Sequence, residues 1–574
     1  MLEVLDEPLD DALIAAWRAR VLRVGAHLHW RDRRAVVRRH AGGASFAIAA
    51  PPDQLFLATE VNEWALCAAL IERDPKRQPA LEAALIAEAL PAAADAAIPT
   101  TDNLPVIEES AAMVRFAHLA SLESQPQLRA LLAAAASRGL PHLLDDSMLT
   151  VGAGAGGCSF PLHALPAVAD VAWSDLRDIP TALVTGSNGK TTTVRLLAAC
   201  ARQHGWRAGY NCTDGVFLDD EALALGDYSG PAGARMVMRE RRTEAAILET
   251  ARGGILRRGI AVSHAHTAVI TNVSADHFGE YGIHDLAGLA AVKLAVAAAL
   301  SPGGLLVLNA DDVQLRTQAG NLAQRFGAGP PLGWFAVGSD QQWLHEAGSR
   351  GAPTCGVRAG HLHLIHAGKE HDLGPIAAMP LSLGGIAAYN VANLAAAGLA
   401  AAALGIAPAT IAAVFARFGS GRNDNPGRMM RFEAAGVQVL VDYAHNPDGL
   451  RGFLTVAAHM RGGGRLGLML GHAGNRQDED IEQLAQVAVE FLPDLVVVKE
   501  DEDHLRGRAL GEIPRIIRAE LKRRGLADSA ILMANSEVEA ARYALEWARP
   551  GDVLALPVHS TQARTAVIEM LEKR

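Results

Sequence analysis

Over most of its length the chain alternates short apolar runs with amphipathic stretches. Thr181–Thr185, Ala245–Glu249, Thr267–Thr271 and Leu305–Leu308 each read as buried strands, because a strand covered on both faces shows a continuous apolar run. Helical patterns such as Val194–Gln203 and Ala287–Leu300 lie between and around them, which predicts a parallel sheet covered by helices. Between Trp334 and Leu383 short alternating strands with Gly-Pro turns predict an antiparallel excursion within the same domain. A second alternation, Val437–Asp442, Leu466–Leu470, Leu495–Val498, Ala530–Met533 and Val553–Pro557, predicts another doubly wound, Rossmann-like domain. It carries no GxGxxG fingerprint after its first strand, so a dinucleotide cofactor is not supported. The first part of the chain is Ala-rich, with helix-like runs at Asp11–Val21, Glu60–Glu72, Pro79–Ala94 and Glu108–Ala120 and no chemical motif. The expected organisation is α/β: an α+β N-terminal domain (1–175), a central parallel-sheet domain (176–425) and a C-terminal doubly wound domain (426–574).

Composition narrows the function classes. The 574 residues are half hydrophobic and one fifth charged, enough to bury several cores. A formal net charge of -10, with no extended basic stripe, argues against a nucleic-acid partner. Cys67, Cys158, Cys200, Cys212 and Cys355 are scattered, odd in number and without CxxC spacing, so they point to packing rather than to disulfides or zinc. The acidic N-terminus has no apolar leader core, and charges interrupt the alanine runs before they could span a bilayer. A cytoplasmic enzyme without membrane partners is expected. The sequence leaves its oligomeric state open, a homo-oligomer included.

The densest chemistry lies at Thr185-Gly-Ser-Asn-Gly-Lys-Thr-Thr-Thr193, between a predicted strand and a predicted helix. Gly186 and Gly189 let backbone amides approach phosphate oxygens, Lys190 can reach terminal phosphates, and the Thr191 hydroxyl can ligate Mg2+; Asn188 and Thr192 complete the loop. ATP binding is the expectation. Val184 stands where the general P-loop pattern has a small residue, so the loop is a shorter variant. The other glycine-rich stretch, Gly152-Ala-Gly-Ala-Gly-Gly157, has no following lysine, and such a pattern is more often a flexible turn than an anion cradle.

Further motifs occur in a fixed order: Leu248–Gly254, Thr271–His277, Asn309–Asp312, Asn390–Asn393, Asn425–Arg428 and Asp442–Pro447. With the phosphate loop, this series resembles the Mur ligase family over roughly residues 176 to 574. Through Glu249–Arg258 and Lys499–Arg508 it is similar to the C-terminal Mur-ligase module of cyanophycin synthetases, which attaches arginine to an aspartate side chain of the growing polymer. In those enzymes an ATP-grasp domain precedes the module. There is no room for one here, so this chain alone is expected not to run both steps of polymerisation.

The resemblance implies an ATP-dependent ligase in which a phosphorylated carboxylate is attacked by an amine, chemistry that depends on charge neutralisation and alignment. It implies Lys190, Glu249, His277 and Lys293 as catalytic residues, with Thr191, Glu249, His277 and Lys293 as Mg2+ ligands. Lys293 would be carbamylated, although its spacing from His277 is two residues longer than in diaminopimelate-adding members; otherwise it would be an ordinary exposed helix lysine. Asn390 would meet adenine. Arg428, Asp442 and His445 would bring nucleotide contacts from the C-terminal domain, so that domain closure completes the site. In the charged run Glu500–Asp503 followed by Arg506, the guanidinium would hold the carboxylate of an incoming amino acid, and Glu500 or Asp503 its cationic side chain, favouring arginine or lysine. The acceptor would be an acidic peptide or small carboxylate. The alternatives are another Mur branch, acting on a peptidoglycan precursor or a polyglutamate, and a noncatalytic nucleotide-binding scaffold.

Overall fold

The computed structural model describes all residues except 1, 6–8, 41–42, 88–106, 276–277, 328, 475, 501–504 and 574. The chain divides into a smaller unit, 1–139 with 160–173, and a larger one, 140–159 with 174–574. The smaller unit is α+β. An antiparallel sheet of Leu2–Leu5, Gly43–Ile48 and Ala35–His40 accompanies helices that include Asp11–His27, Leu55–Arg73 and Glu109–Glu123. Its core is aromatic: Trp17 meets Phe46 edge-on, and Trp64 meets Phe116 in the same way. The expected helix Pro79–Ala94 is present as Gln78–Ala87, and its remaining residues lie outside the described ones.

Two sheets dominate the larger unit. The first is built from β1 (Thr181–Thr185), β2 (Ala208–Cys212), β3 (Gly215–Leu218), β4 (Glu221–Leu225), β5 (Ala245–Glu249), β6 (Ala265–Ile270), β7 (Leu300–Asn309), β8 (Leu332–Gly338), β9 (Thr354–Arg358), β10 (His361–His366) and β11 (Lys369–Pro375). Their spatial order is β4-β3-β2-β5-β1-β6-β7-β8-β9-β10-β11. From β2 to β9 neighbouring strands are parallel, and antiparallel hairpins extend both edges. The antiparallel excursion therefore starts at β10, later than the sequence pattern suggests. Because β5 flanks β1 on one side and β6 on the other, the chain reverses direction of winding beside β1. In open α/β sheets the crevice at such a switch point is where ligands bind.

The second sheet comprises β12 (Met430–Ala434), β13 (Val437–Asp442), β14 (Leu466–Leu470), β15 (Leu495–Lys499), β16 (Ile531–Ala534) and β17 (Val553–Pro557), in the order β12-β13-β17-β14-β15-β16. All its pairings are parallel except β12 with β13. Its central strands β14, β15 and β17 are buried throughout, which is why they read as apolar runs.

The glycine-rich stretch after the hairpin His142–Leu144 and Met148–Val151 is neither a cradle nor a loose turn. The amides of Ala153, Ala155, Gly156 and Gly157 all donate to protein carbonyls, at 2.7–3.1 Å. A Cβ on Gly154 would come within 2.3 Å of the Thr243 carbonyl oxygen, so glycine is required by close packing. Cys200, Cys212 and Cys355 are buried, and all five cysteines are free. Among the described residues no helix is long and apolar enough to cross a membrane.

Candidate active site

The phosphate loop springs from β1 and feeds the helix Lys190–His204. Its glycines are dictated by their neighbours. A Cβ on Gly186 would fall 1.7 Å from Thr271 Oγ1, and one on Gly189, where φ is +84°, would fall 2.2 Å from Asn393 Oδ1. The loop is held open by bonds from the next strand end: Asn188 N donates to Asn272 Oδ1 at 2.9 Å, and Thr271 Oγ1 donates to the Asn188 carbonyl at 2.5 Å. Lys190 Nζ donates to the Ser187 carbonyl at 3.0 Å, which folds the ammonium over the loop.

Glu249 ends β5, the strand beside β1. Thr191 Oγ1 donates to Glu249 Oε2 at 2.8 Å, and Thr213 Oγ1 to Oε1 at 3.4 Å. The carboxylate is 1% exposed, and burial pushes its pKa up against the pull of Lys190 and the Thr191 bond. A buried carboxylate beside threonine hydroxyls is a hard-oxygen donor set that suits Mg2+. Asn211, on β2, fixes the strand end by donating to the Glu249 carbonyl at 3.0 Å and to that of Tyr228 at 2.7 Å.

The second sheet supplies the opposite wall. Asp442, at the end of β13, accepts from Met429 N at 2.6 Å and Ala444 N at 2.8 Å. Burial pushes its pKa up, opposed by Arg428, whose guanidinium lies 4.3 Å from the centre of the Tyr443 ring. Two bridges join this wall to the phosphate loop. Asn446 Nδ2 donates to Asn188 Oδ1 at 2.8 Å while Asn188 Nδ2 donates back to Asn446 Oδ1 at 3.2 Å. Asp214, in the β2–β3 turn, takes Arg195 of the phosphate-loop helix at 2.7 Å and Arg564 of the helix Thr561–Glu572 at 2.8 Å. Burial works to raise the Asp214 carboxyl, but Arg428, Arg195 and Arg564 together hold it below its ordinary range.

Two cavities meet here. One, of about 430 Å³, runs from Lys190, Thr191 and Glu249 to Asn390, Arg428 and Asp442. The other, of about 740 Å³, is bordered by Lys190, Arg252, Arg257, Arg258, Lys293 and Arg506, against the carboxylates of Asp227 and Glu280. Lys190 and His445 line both.

The residues singled out from sequence are distributed as follows. Gly186 and Lys190 border the larger cavity, and Asn188, Gly189, Lys190, Thr191 and Thr192 the smaller. Asn390 and Asn393 line the smaller cavity, but their amides are engaged with protein: Asn390 Nδ2 donates to the Leu381 carbonyl and Asn393 Nδ2 to Asn390 Oδ1, both at 3.1 Å. Lys293 ends the helix Leu286–Lys293, is 3% exposed and lines the larger cavity, so it is no ordinary surface lysine. Glu500 turns inward, where Oε2 accepts from Gly511 N at 2.6 Å, and lines neither cavity. His277 and Asp503 lie outside the described residues. Sequence reasoning missed Arg195, Asp214 and Arg564. Their partners stand as much as 350 positions away, and no local pattern could have found them.

The Mur ligase middle domain matches residues 184–401, and the Mur ligase glutamate ligase domain matches 427–556. The 2,6-diaminopimelate-adding UDP-N-acetylmuramoyl-L-alanyl-D-glutamate ligase of Alkalilimnicola ehrlichii is 32% identical over 65% of this chain and 69% of its own length. The chain belongs to the Mur ligase family. As a Mur ligase it is also similar to the cyanophycin synthetase of Nostoc sp., at 34% identity over 65% of this chain. That match spans only 42% of the synthetase, so the chain corresponds to less than half of the cyanophycin synthetases it resembles. The Mur ligase fold is seen again in the structure of E. coli FolC in complex with DHPP and ADP, with a TM-score of 0.50 and 18% identity over 69% of this chain and 89% of FolC.

Proposed function

We propose that this Mur ligase is an ATP-dependent carboxylate–amine ligase that adds a cationic amino acid, arginine or lysine, to an acidic, cyanophycin-like peptide in the cytoplasm. The observation that carries the reading is the meeting of two cavities at Lys190 and His445: one has the donors of a nucleotide site, and the other is rimmed by cations. An oxygen of the acceptor carboxylate attacks the terminal phosphorus of ATP and ADP leaves, giving an acyl phosphate. The neutral amine of the amino acid then attacks the acyl carbon, phosphate leaves, and the amine gives up a proton. Lys190 neutralises charge on the transferring group, and the backbone amides of the phosphate loop orient the phosphates. Thr191 and Glu249, with His277 and a carbamylated Lys293, would hold Mg2+, which supplies further charge neutralisation when bound. Arg428 and Asp442 orient the nucleoside, while the cations of α-helical Arg252–Arg258 attract the acidic acceptor. Arg506 clamps the carboxylate of the incoming amino acid.

The match to the diaminopimelate-adding ligase favours one second reading, a ligase of that branch acting on a peptidoglycan precursor. Phosphate release measured with an aspartate-rich peptide and each of the twenty amino acids, followed by mass spectrometry of the products, separates the two. The expected result is release that requires both acceptor and arginine or lysine, with a product heavier by that residue. Nucleotide binding without turnover would overturn the reading in favour of a scaffold.

A further inference from the structure

Behind the His445 loop lies a buried ionic cluster with no place in the chemistry above. Lys499, the last residue of β15, has a fully buried side chain paired with Glu537 at the start of the helix Glu537–Trp547. Its Nζ also donates to the Pro557 carbonyl at 2.9 Å and faces His559 Nδ1 at 3.4 Å. Room for the lysine stem comes from Gly471, where a Cβ would fall 2.5 Å from Lys499 Cγ. Glu537 is further tied down by the amides of His559 at 2.8 Å and Ser560 at 2.9 Å. Two strands of the second sheet and the helix Glu537–Trp547 thus converge on one imidazole.

An ammonium facing Nδ1 requires a lone pair there, so the ring proton must sit on Nε2. That nitrogen lies 3.2 Å from the Ala444 carbonyl, which accepts it. The residue after Ala444 is His445, which borders both cavities. Tyr443, before it, packs edge-on against both imidazoles, at 5.3 Å from each. The groups facing His559 are therefore Lys499, Glu537, His445 and Tyr443. Burial first, then Lys499 and His445, push the His559 pKa down to about 3, against the pull of Glu537, so the ring stays neutral throughout the physiological range. Burial tends to raise the Glu537 carboxyl, but Lys499 and His559 bring it down to about 2.

We propose that Lys499, Glu537 and His559 are positioning residues: they fix His559 as the Nε2-protonated tautomer, whose hydrogen bond to the Ala444 carbonyl sets His445 at the junction of the two cavities. The kinetic part rests on the ligase reading; the tautomer does not. A buried ion pair that only stabilised the fold would have no need of a particular imidazole tautomer, and its loss would change stability without a selective effect on turnover.

The test uses the full chain labelled with 15N-histidine, with His559 identified from the spectrum of His559→Gln. Protonated Nε2 and unprotonated Nδ1 are expected, unchanged from about pH 5.5 to about pH 8.5. Lys499→Met should allow the other tautomer and lower kcat on the order of tenfold, with KM for ATP changed less than about twofold, since a small misplacement of a reacting group costs rate more than binding. His559→Leu should lose as much, whereas His559→Gln, whose amide can still donate to Ala444, should recover most of the rate. If Lys499→Met fails to fold, Glu537→Gln replaces it, with the same expectations. A His559 that titrates in this range, a proton on Nδ1, or a folded His559→Leu with wild-type kcat would overturn the assignment. A wild-type protein without turnover would sink the ligase reading, while the imidazole spectra would still decide the tautomer.

Discussion

Asp214→Asn is the substitution that most directly tests whether the two sheets are joined by charge. The change keeps the shape of the side chain but leaves two guanidiniums facing a neutral amide. Arg195 retains Asn425 Oδ1 at 3.3 Å and the Pro426 carbonyl at 2.9 Å. Arg564 is worse placed: its side chain is 7% exposed, Asp214 is the carboxylate it meets among the described residues, and its Nη1 has no hydrogen-bond partner. Removing one partner of a buried ion pair costs about 3–5 kcal/mol, because the charge left behind stays buried and uncompensated. Since the bridge spans the two sheets, that cost falls on the arrangement that joins them, and disfavours it against any separated one by roughly two to nearly four orders of magnitude. Calorimetric unfolding together with small-angle scattering should show a lower first transition and a larger radius. The pH dependence has a definite sign. The folded carboxyl lies below its ordinary 3.8, so the wild-type advantage is complete above that value and is lost as pH falls through the lower folded value. Equal melting, scattering and turnover in Asp214→Asn and wild type, at neutral pH and low salt, would refute the bridge.

Lys190→Ala should abolish ATP-dependent turnover while melting stays close to wild type, because the ammonium's described bond is a single one to its own loop; ligation by the folded variant would remove the assignment. Glu249→Gln should weaken Mg2+ dependence and rate yet leave the metal-free protein at least as stable at neutral pH. The folded carboxyl is raised above 4.5, so ionising it costs stability as pH rises from there through the folded value, and the variant's advantage should vanish below about pH 4.5, as melting curves across pH would show. Arg506→Ala should raise the KM for a cationic amino acid with ATP affinity little changed, and Arg506→Lys should fail to restore it, because an ammonium lacks the planar fork that matches a carboxylate; an unchanged KM in steady-state assays would discard that pocket.

Sequence pattern captured the elements whose burial is continuous. β1, β5, β13, β14 and β17 have the bounds their apolar runs predict, because both faces of each are covered. β2 escaped notice since Ala208-Gly-Tyr-Asn-Cys212 contains no aliphatic run; its value lies in buried Asn211, a polar residue that only tertiary partners explain. β4 is largely exposed, and an edge strand of that kind carries little hydrophobic signal. The helix expected over Ala287–Leu300 stops at Lys293 and tightens into a 3-10 turn over Leu294–Ala299, a change of hydrogen-bond pattern to which apolar periodicity is blind. At the site, residues clustered in motifs were legible, and those joined across the fold were not. Lys499 and Glu500 illustrate the difference. In sequence they open a charged run expected to face an incoming amino acid, yet both are buried, because Glu537 and Gly511 await them 38 and 11 positions further on.

The reciprocal pair of Asn188 and Asn446 has a consequence for the pace of the catalytic cycle. Each amide gives one bond and takes one, so the contact is indifferent to proton concentration and ionic strength, and no ion competes for it. In the proposed ligase cycle spent nucleotide would leave a crevice whose opposite wall is fastened to its own phosphate loop, and its departure would wait on that fastening. Turnover limited in this way slows in proportion to solvent viscosity, and a burst of the first product precedes the steady rate.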